Sequence, residues 1–301
     1  MEASAHSLVG PGGDHRKRAK VQQEQIIVVR NLRFARKSAA ARWWLDDNPF
    51  ASAWFNALSL SFPRGEAMFI AAVKHFRTDA PADLAEQIRA FVQQEVNHTR
   101  EHVAFNRSVA DAGYDVAAID ARIARLVERV FERPPIVWLT VTTALEHFTA
   151  MFAHEFLARP EHFVGSATEQ AGLWRWHAVE EIEHKAVAFD TWRHATRAMP
   201  RRRRYLLRTL IMIDVTGRFL RNRFRDALEL LEQDGITGWR ARRGLLHYVL
   251  VSPGVLRAVL PAWLAWFRPG FHPWDTDDTH LIARYESDQA AAGNDGIRSR
   301  V

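Results

Sequence analysis

An all-α fold is what this sequence predicts, and three observations carry that prediction. Apolar residues recur at helical spacing through most of the 301 residues. The one stretch with strand character is "IIVVRNLRFA", Ile26 to Ala35, readable as a short strand or an extended arm. Proline, glycine and short polar runs then cut the periodic sequence into lengths suited to packed helices.

Taken in order, residues 1–25 are polar, Gly-rich and charged, and are expected to form a disordered tail. From Ala39 the segment "AAARWWLDDNPFASAWFNALSLSFPRGEAMFIAAVKHFR" has helical periodicity, with Pro49 and Pro63 as expected breaks. "TDAP" at 78–81 stops that segment and starts the next helix, with Pro81 suited to a first turn. This helix should end at Ala110, before "DAGYD". Further helices are expected at 116–132, stopping at "RPP", at 137–158, and at 167–198 after the loop "RPEHFVGS". Beyond residue 200 the helical pattern continues, broken by Gly235, Gly238, Pro253, Gly254 and Pro261, as far as "FRPGFHPWDTDD". The chain thus divides into the tail 1–25, a helical bundle at 26–200, a C-terminal helical extension at 201–285 packed on it, and a polar tail at 286–301.

At 48% hydrophobic residues the chain can bury a large core. It contains no cysteine, which excludes disulfides, thiolate metal sites and cysteine nucleophiles. Any metal must therefore be held by carboxylate oxygen and imidazole nitrogen. The N-terminal stretch lacks the apolar region of a signal peptide, and no apolar run reaches the ~20 residues of a spanning helix, so a cytoplasmic location is expected. The net charge of +6 gathers in runs such as "RRRR", Arg201 to Arg204. No recognisable binding module accompanies that run, and no nucleic-acid partner is expected.

The chemistry lies in the pattern Glu-x-x-His, which occurs twice, as Glu95/His98 in "QEVNH" and Glu181/His184 in "EIEH". Residues three apart share a helix face, so each pair presents a carboxylate and an imidazole to one point. Spacing adds two more carboxylates. Glu66 lies roughly 13 residues before "TDAP" and Glu95 roughly 15 after it, so at ~1.5 Å per residue an antiparallel hairpin sets both about 20 Å from the turn. Glu146 and Glu181 stand in the same relation across "RPEHFVGS". One Glu from each of two helices and a Glu-x-x-His from each of two others is how ferritin-like four-helix bundles hold two metal ions. Such a bundle, with additional N- and C-terminal helices, is the expected architecture. Four carboxylates neutralise two divalent cations, at least one of them bridging, while each imidazole caps one. Buried without cations, these groups are costly.

In "WHAVEEIEHKAVAFD", His177 falls on the stripe of Glu181 and His184 and is an additional candidate ligand; His102 holds the same relation to His98. A lone helical histidine is more often hydrogen-bonded than metallated, so both readings stand for these two. Glu180 and Glu183 lie off the stripe and suit partners that orient imidazoles or ordinary surface charge, with Glu180 replacing Glu181 if the helix is rotated or carries a π-bulge. Phe69, Phe105 and Phe148 are candidates to line a pocket beside the centre, or to be simple core.

With these residues the chain resembles the bacterial family described as predicted metal-dependent hydrolase, through "NALSLSFPRGEAMF", "QEVNHTREH", "WHAVEEIEHKAVAFD" and "FRPGFHPWDTDD". The likeness covers most of residues 26–280. The order of Glu66, Glu95, His98, Glu146, His177, Glu181 and His184 is also similar to that of the di-iron arylamine N-oxygenases, a similarity confined to the ligand pattern. It implies His177 as a ligand, and oxygen chemistry.

The leading expectation is a di-metal carboxylate enzyme: an O₂-dependent oxidase or oxygenase with two iron ions, a small or lipid-like organic substrate and an electron donor. The alternative is a metal-dependent hydrolase using a metal-bridging hydroxide, with manganese or zinc in place of iron. No separate general base is recognisable for it, and "HEFLA" at 154–158 lacks the second histidine of the metalloprotease signature. A third reading is a non-enzymatic metal-binding helical protein. The apolar run from Gly244 to Phe267 reads as core helices, or as an interfacial helix giving peripheral membrane contact at the inner face. The assembly is left open, a dimer being one option.

Overall fold

The structure, a computed structural model, describes residues 27–34, 41–166 and 168–298. The stretch expected to be a disordered tail lies outside these residues. Helix α1 spans Pro49–His75, and the side chain of Asn48 caps it by accepting from the Phe50 and Ala51 amides at 3.0 and 3.1 Å. Pro49 occupies the first turn, where its missing N–H costs nothing. Pro63 does not break the helix as expected. A proline there removes the hydrogen bond to the carbonyl four residues back, that of Ser59. The neighbouring helix supplies a substitute, since Asn106 Nδ2 donates to the Ser59 carbonyl at 3.1 Å. Asn106→Ala is accordingly expected to destabilise the protein by about 1–2 kcal/mol. In a Pro63→Ala background, where the backbone N–H returns, the same change should cost clearly less. Chemical denaturation of the four proteins checks this, and equal costs in both backgrounds would refute it.

Helix α2 runs Ala82–Asp111, α3 Ala117–Phe131, α4 Pro135–Ala158 and α5 Thr168–His184. The single helix expected at 167–198 is in fact two: α5 ends at His184 and α6 begins at Val187, finishing at Ala195. The break coincides with a tertiary demand, because the buried Lys185 ammonium is drawn to the Thr276 carbonyl at 2.8 Å and the Asp278 carboxylate at 2.5 Å. The C-terminal part comprises α7 Arg201–Gln233, α8 Gly238–Leu250, α9 Val255–Ala265 and α10 Thr279–Arg298. The last of these carries helix well into the expected polar tail. No strand forms among the described residues, only an isolated bridge between Leu45 and Ser166.

No additional N-terminal helix precedes α1 among the described residues. Residues 27–34 are an extended arm instead. Its backbone finds no partner strand and is satisfied by side chains of α2 and α5. The amides of Val28, Arg30 and Phe34 donate to Glu183, Glu180 and Glu101 at 3.1, 2.9 and 2.7 Å, and Gln94 Nε2 donates to the Val28 carbonyl at 3.1 Å. Of the two readings the sequence offered, the arm is the one found, and carboxylates accept from its amides where a partner strand would.

Helices α1, α2, α5 and α4 enclose a common interior, each packing on the next, with α7 laid across α1 and α4. Two apolar cores occupy its ends. One gathers Leu58, Phe105, Met151 and Trp174, the other Met68, Phe91, Leu139 and Trp192. Along α1, α2 and α4 the acidic and imidazole side chains fall between these cores, so a polar layer is sealed on both sides. Helix α8 approaches α1 closely at Gly244, where a Cβ would lie 2.2 Å from the Phe50 ring.

Candidate metal centre

Glu66 of α1, Glu95 and His98 of α2, Glu146 of α4, and His177, Glu181 and His184 of α5 are all buried, none more than 4% exposed. They meet in one place. His184 Nε2 lies 3.2, 3.4 and 3.5 Å from Glu95, Glu146 and Glu181; His98 Nδ1 lies 3.7 and 3.5 Å from Glu95 and Glu181. His177 Nε2 lies 2.8 Å from Glu181 and 3.9 Å from Glu66. Within this set, Glu66, Glu95 and His98 form one group whose donor atoms lie within 4.8 Å of one another, and Glu95, Glu181 and His184 form another. Glu95 is common to both.

The residues fit a cation on grounds of hydrogen bonding alone. Both oxygens of Glu95 and of Glu146, Oε1 of Glu66, Oε2 of Glu181, Nδ1 of His98 and Nε2 of His184 are buried with no hydrogen-bond partner. Buried polar atoms are nearly always paired, and this concentration of unpaired acceptors at one point matches what a multivalent cation supplies. The electrostatics agree. Burial, then the charge of neighbouring carboxylates, pushes Glu66, Glu95 and Glu146 well above the usual carboxylate range. Burial pushes Glu181 the same way, but His184 and the hydrogen bond to His177 outweigh it and hold that carboxyl low.

The surrounding groups leave bare imidazole nitrogens pointing inward. Glu180 Oε2 lies 3.0 Å from His98 Nε2 and holds its proton, so Nδ1 is free. Gln94 donates through Nε2 to Val28 and Glu183, so its Oε1 accepts from His184 Nδ1 at 2.9 Å and leaves Nε2 free. His177 is set by a longer relay. Asn106, turned by the Ser59 carbonyl, accepts the Ser59 hydroxyl at 2.7 Å. Ser59 Oγ must then accept from His102 Nδ1 at 2.8 Å, and His102 Nε2 from His177 Nδ1 at 2.7 Å. His177 Nδ1 is thereby given to His102, and Nε2 is left facing Glu181 Oε1 at 2.8 Å, where the proton the two share is the one a cation would displace. His102 stands behind His177 with both nitrogens hydrogen-bonded, and donor atoms of Glu66, His102 and His177 also lie within 4.8 Å of one another. Thr99 Oγ1 steadies Glu66 at 2.8 Å.

Gln94, Thr99, Ser59 and Asn106 escaped sequence reasoning, since none belongs to a spacing pattern. Pro63 was the one hint, because it obliges something to meet the Ser59 carbonyl. Glu180 and Glu183 take the supporting place given them by their angle on α5, Glu183 holding the arm through Val28 and Arg30. Glu180→Ala is expected to weaken metal binding by about 10–100-fold through loss of His98 orientation. Isothermal titration of chelated protein with manganese measures it, and an unchanged affinity would remove Glu180 from the centre.

A cavity of about 550 Å³ adjoins the cluster, walled by Leu58, Phe62, Phe69, Phe148, Phe152 and Phe219 among others. Glu66 is the one member of the cluster that lines it. Phe69 and Phe148 thus border the cavity, whereas Phe105 does not; it packs edge-on to Trp44 at 5.5 Å in the core.

No curated protein and no solved structure matches the chain. One family does match, over residues 28–277, a span that takes in the arm, all of the cluster and most of the helices behind it. That match covers well over half the sequence, and the chain belongs to the family described as predicted metal-dependent hydrolase.

Proposed function

We propose that the cluster holds two divalent cations bridged by Glu95, and that the protein hydrolyses an ester or phosphoester carried on an apolar substrate. The observation that carries this reading is the abutment of unpaired buried acceptors on an apolar cavity, with Glu66 belonging to both. Cations bound there supply Lewis acidity toward a carbonyl or phosphoryl oxygen and make a water more acidic. The chain's own contribution is binding and proton handling. Phenylalanine and leucine walls take up the apolar part of the substrate and exclude water from the polar layer. Glu66, which belongs to both the cluster and the cavity wall, is placed to take up the proton released from water and return it to the leaving group. Metal-loaded protein should hydrolyse p-nitrophenyl esters or phosphates under anaerobic conditions, with activity lost on chelation and restored by manganese or zinc.

A second reading, O₂-dependent oxidation at a pair of iron ions, draws support from one observation. Several donors on the cavity wall are already committed: the Ser61 and Thr149 hydroxyls donate to the Leu58 and Glu146 carbonyls, and Arg223 is engaged by Asp226 and the Ala57 carbonyl, which leaves few for a developing oxyanion. Oxygen uptake by the reduced iron-loaded protein, with no anaerobic turnover of any ester, would favour it over hydrolysis.

On either reading the cavity selects for apolar length. Ile211→Trp, which fills part of the wall, is expected to raise KM about tenfold for an octanoyl ester while leaving an acetyl ester nearly unchanged. Equal effects on the two esters would place the substrate elsewhere.

A further inference from the structure

We infer that the outer face of α7 and α9 docks on an anionic lipid bilayer. Leu206, Leu210 and Ile213 of α7 are 54, 63 and 54% exposed, and Leu260 and Leu264 of α9 are 48 and 54% exposed. Spacings of three and four put each set on one face of its helix. The two helices meet at two points, where Tyr205 Oη donates to the Phe267 carbonyl at 2.8 Å and Trp263 Nε1 to Thr216 Oγ1 at 2.9 Å. Each row is an exposed apolar strip on the side of its helix turned away from the core.

The charge around these rows is mostly basic, the exception being Asp214, which pairs with Arg218 beside the α7 row. No acidic residue occurs from Arg201 to Ile213, nor anywhere between Asp234 and Asp275, in a chain with 35 of them. Arg201, Arg202 and Arg203 are exposed at the start of α7, and Arg257 is exposed on α9. A second copy of this chain related by a twofold axis would set these arginines against one another. An anionic bilayer complements both features, apolar side chains entering the acyl boundary and guanidinium groups meeting headgroup phosphates. Trp239, 73% exposed at the start of α8, suits the headgroup level. Helices α8 and α9 together are apolar enough to span a membrane, but they bend by 54° and bury one side on the core, so they lie on the surface and do not cross it. Asp214 and Arg218, next around α7 from the strip, line the cavity, which brings its mouth close to the docked bilayer. The docking itself stands apart from the hydrolase reading and needs no metal.

Sedimentation of the full chain, chelated, with vesicles tests it. The protein should pellet with equal parts phosphatidylglycerol and phosphatidylcholine and stay in solution with phosphatidylcholine alone. Leu210→Glu/Leu264→Glu should bind about tenfold more weakly, with an unchanged far-ultraviolet dichroism spectrum. Arg202→Glu/Arg203→Glu, which favours the α7 dipole and so preserves folding, should weaken binding similarly and carries the test if the first variant misfolds. Failure of the wild-type chain to pellet, or equal binding by the variants, overturns the inference. So does a wild-type dimer in analytical ultracentrifugation that the leucine variant dissociates while vesicles go unbound, because the face would then belong to a second copy.

Discussion

Glu146→Gln is expected to stabilise the chelated protein above pH 7 by about 2 kcal/mol while removing metal binding. Neither Glu146 oxygen receives a hydrogen bond, and burial followed by the charges of Glu181 and Glu95 pushes its carboxyl far up. A carboxyl whose folded pKa exceeds its unfolded value keeps its proton on folding. The native state then binds more protons than the unfolded one, and stability falls as pH rises from the ordinary carboxylate value through the folded one. Glu66 and Glu95 act in the same direction. His102 and His177, held low by burial, His177 at about 4, act oppositely, but only below the ordinary imidazole value near 6.5. Glu181, held low, matters only in acid. Above pH 6.5 the raised carboxyls, joined by His98, which against burial Glu180 and Glu181 hold above its ordinary value, therefore set the sign, and each proton the folded state retains contributes about 1.4 kcal/mol per pH unit. The chelated wild type should melt at progressively lower temperature across that range, and Glu146→Gln should flatten the slope. Saturating manganese or zinc should raise the wild-type melting temperature and leave that of the variant unmoved. A wild-type melting temperature indifferent to both pH and metal would mean that the four carboxyls are not held as the structure holds them.

How far the centre was legible in the sequence follows from the range of each signal. Glu95/His98 and Glu181/His184 could be read because an i, i+3 spacing fixes a shared helix face without tertiary information. Glu66 and Glu146 could be read because two short turns convert chain distance into height along antiparallel helices. The same spacing logic placed His177 and His102 on one footing. It could not separate them, since the difference lies in Ser59 and Asn106, partners on two helices whose side-chain register no local pattern encodes. Pro63 and the break at Lys185 misled for a related reason. Proline's cost in a helix was right, but a side chain 43 residues onward meets the freed carbonyl, and a buried ammonium that must reach Asp278 overrides a helical sequence. The arm at 27–34 is the reverse case. Its strand-like or extended character was visible, while the carboxylates that take the place of a partner strand belong to α2 and α5.

Asp226→Ala is expected to destabilise the fold by about 3–5 kcal/mol. Arg223 and Asp226 are 4 and 0% exposed. Asp226 Oδ2 accepts from Arg223 Nη2 at 2.6 Å, and Oδ1 accepts from Arg122 Nη2 of α3, also at 2.6 Å. Arg223 Nη1 goes on to donate to the Ala57 carbonyl of α1. One carboxylate therefore fastens α7 to α3 directly and to α1 through Arg223. Removing it leaves a fully desolvated guanidinium with a single carbonyl acceptor, whose charged form burial already disfavours. At about 2–4 °C per kcal/mol for a protein of this size the melting temperature should fall by roughly 10 °C. Asp226→Leu combined with Arg223→Met should recover most of that loss, because breaking a buried pair costs far more than replacing both members with apolar groups of similar volume. A single variant within about 1 kcal/mol of wild type would show that Arg122 and Glu229, paired at 2.6 Å, carry the junction alone. The junction matters to the cavity because Ala57 precedes Leu58 on one wall while Ile211, Val215 and Phe219 of α7 form the other. The clamp that holds α7 in place thereby sets the width available to a substrate, and the single variant should lose the discrimination between octanoyl and acetyl esters before it loses its helices.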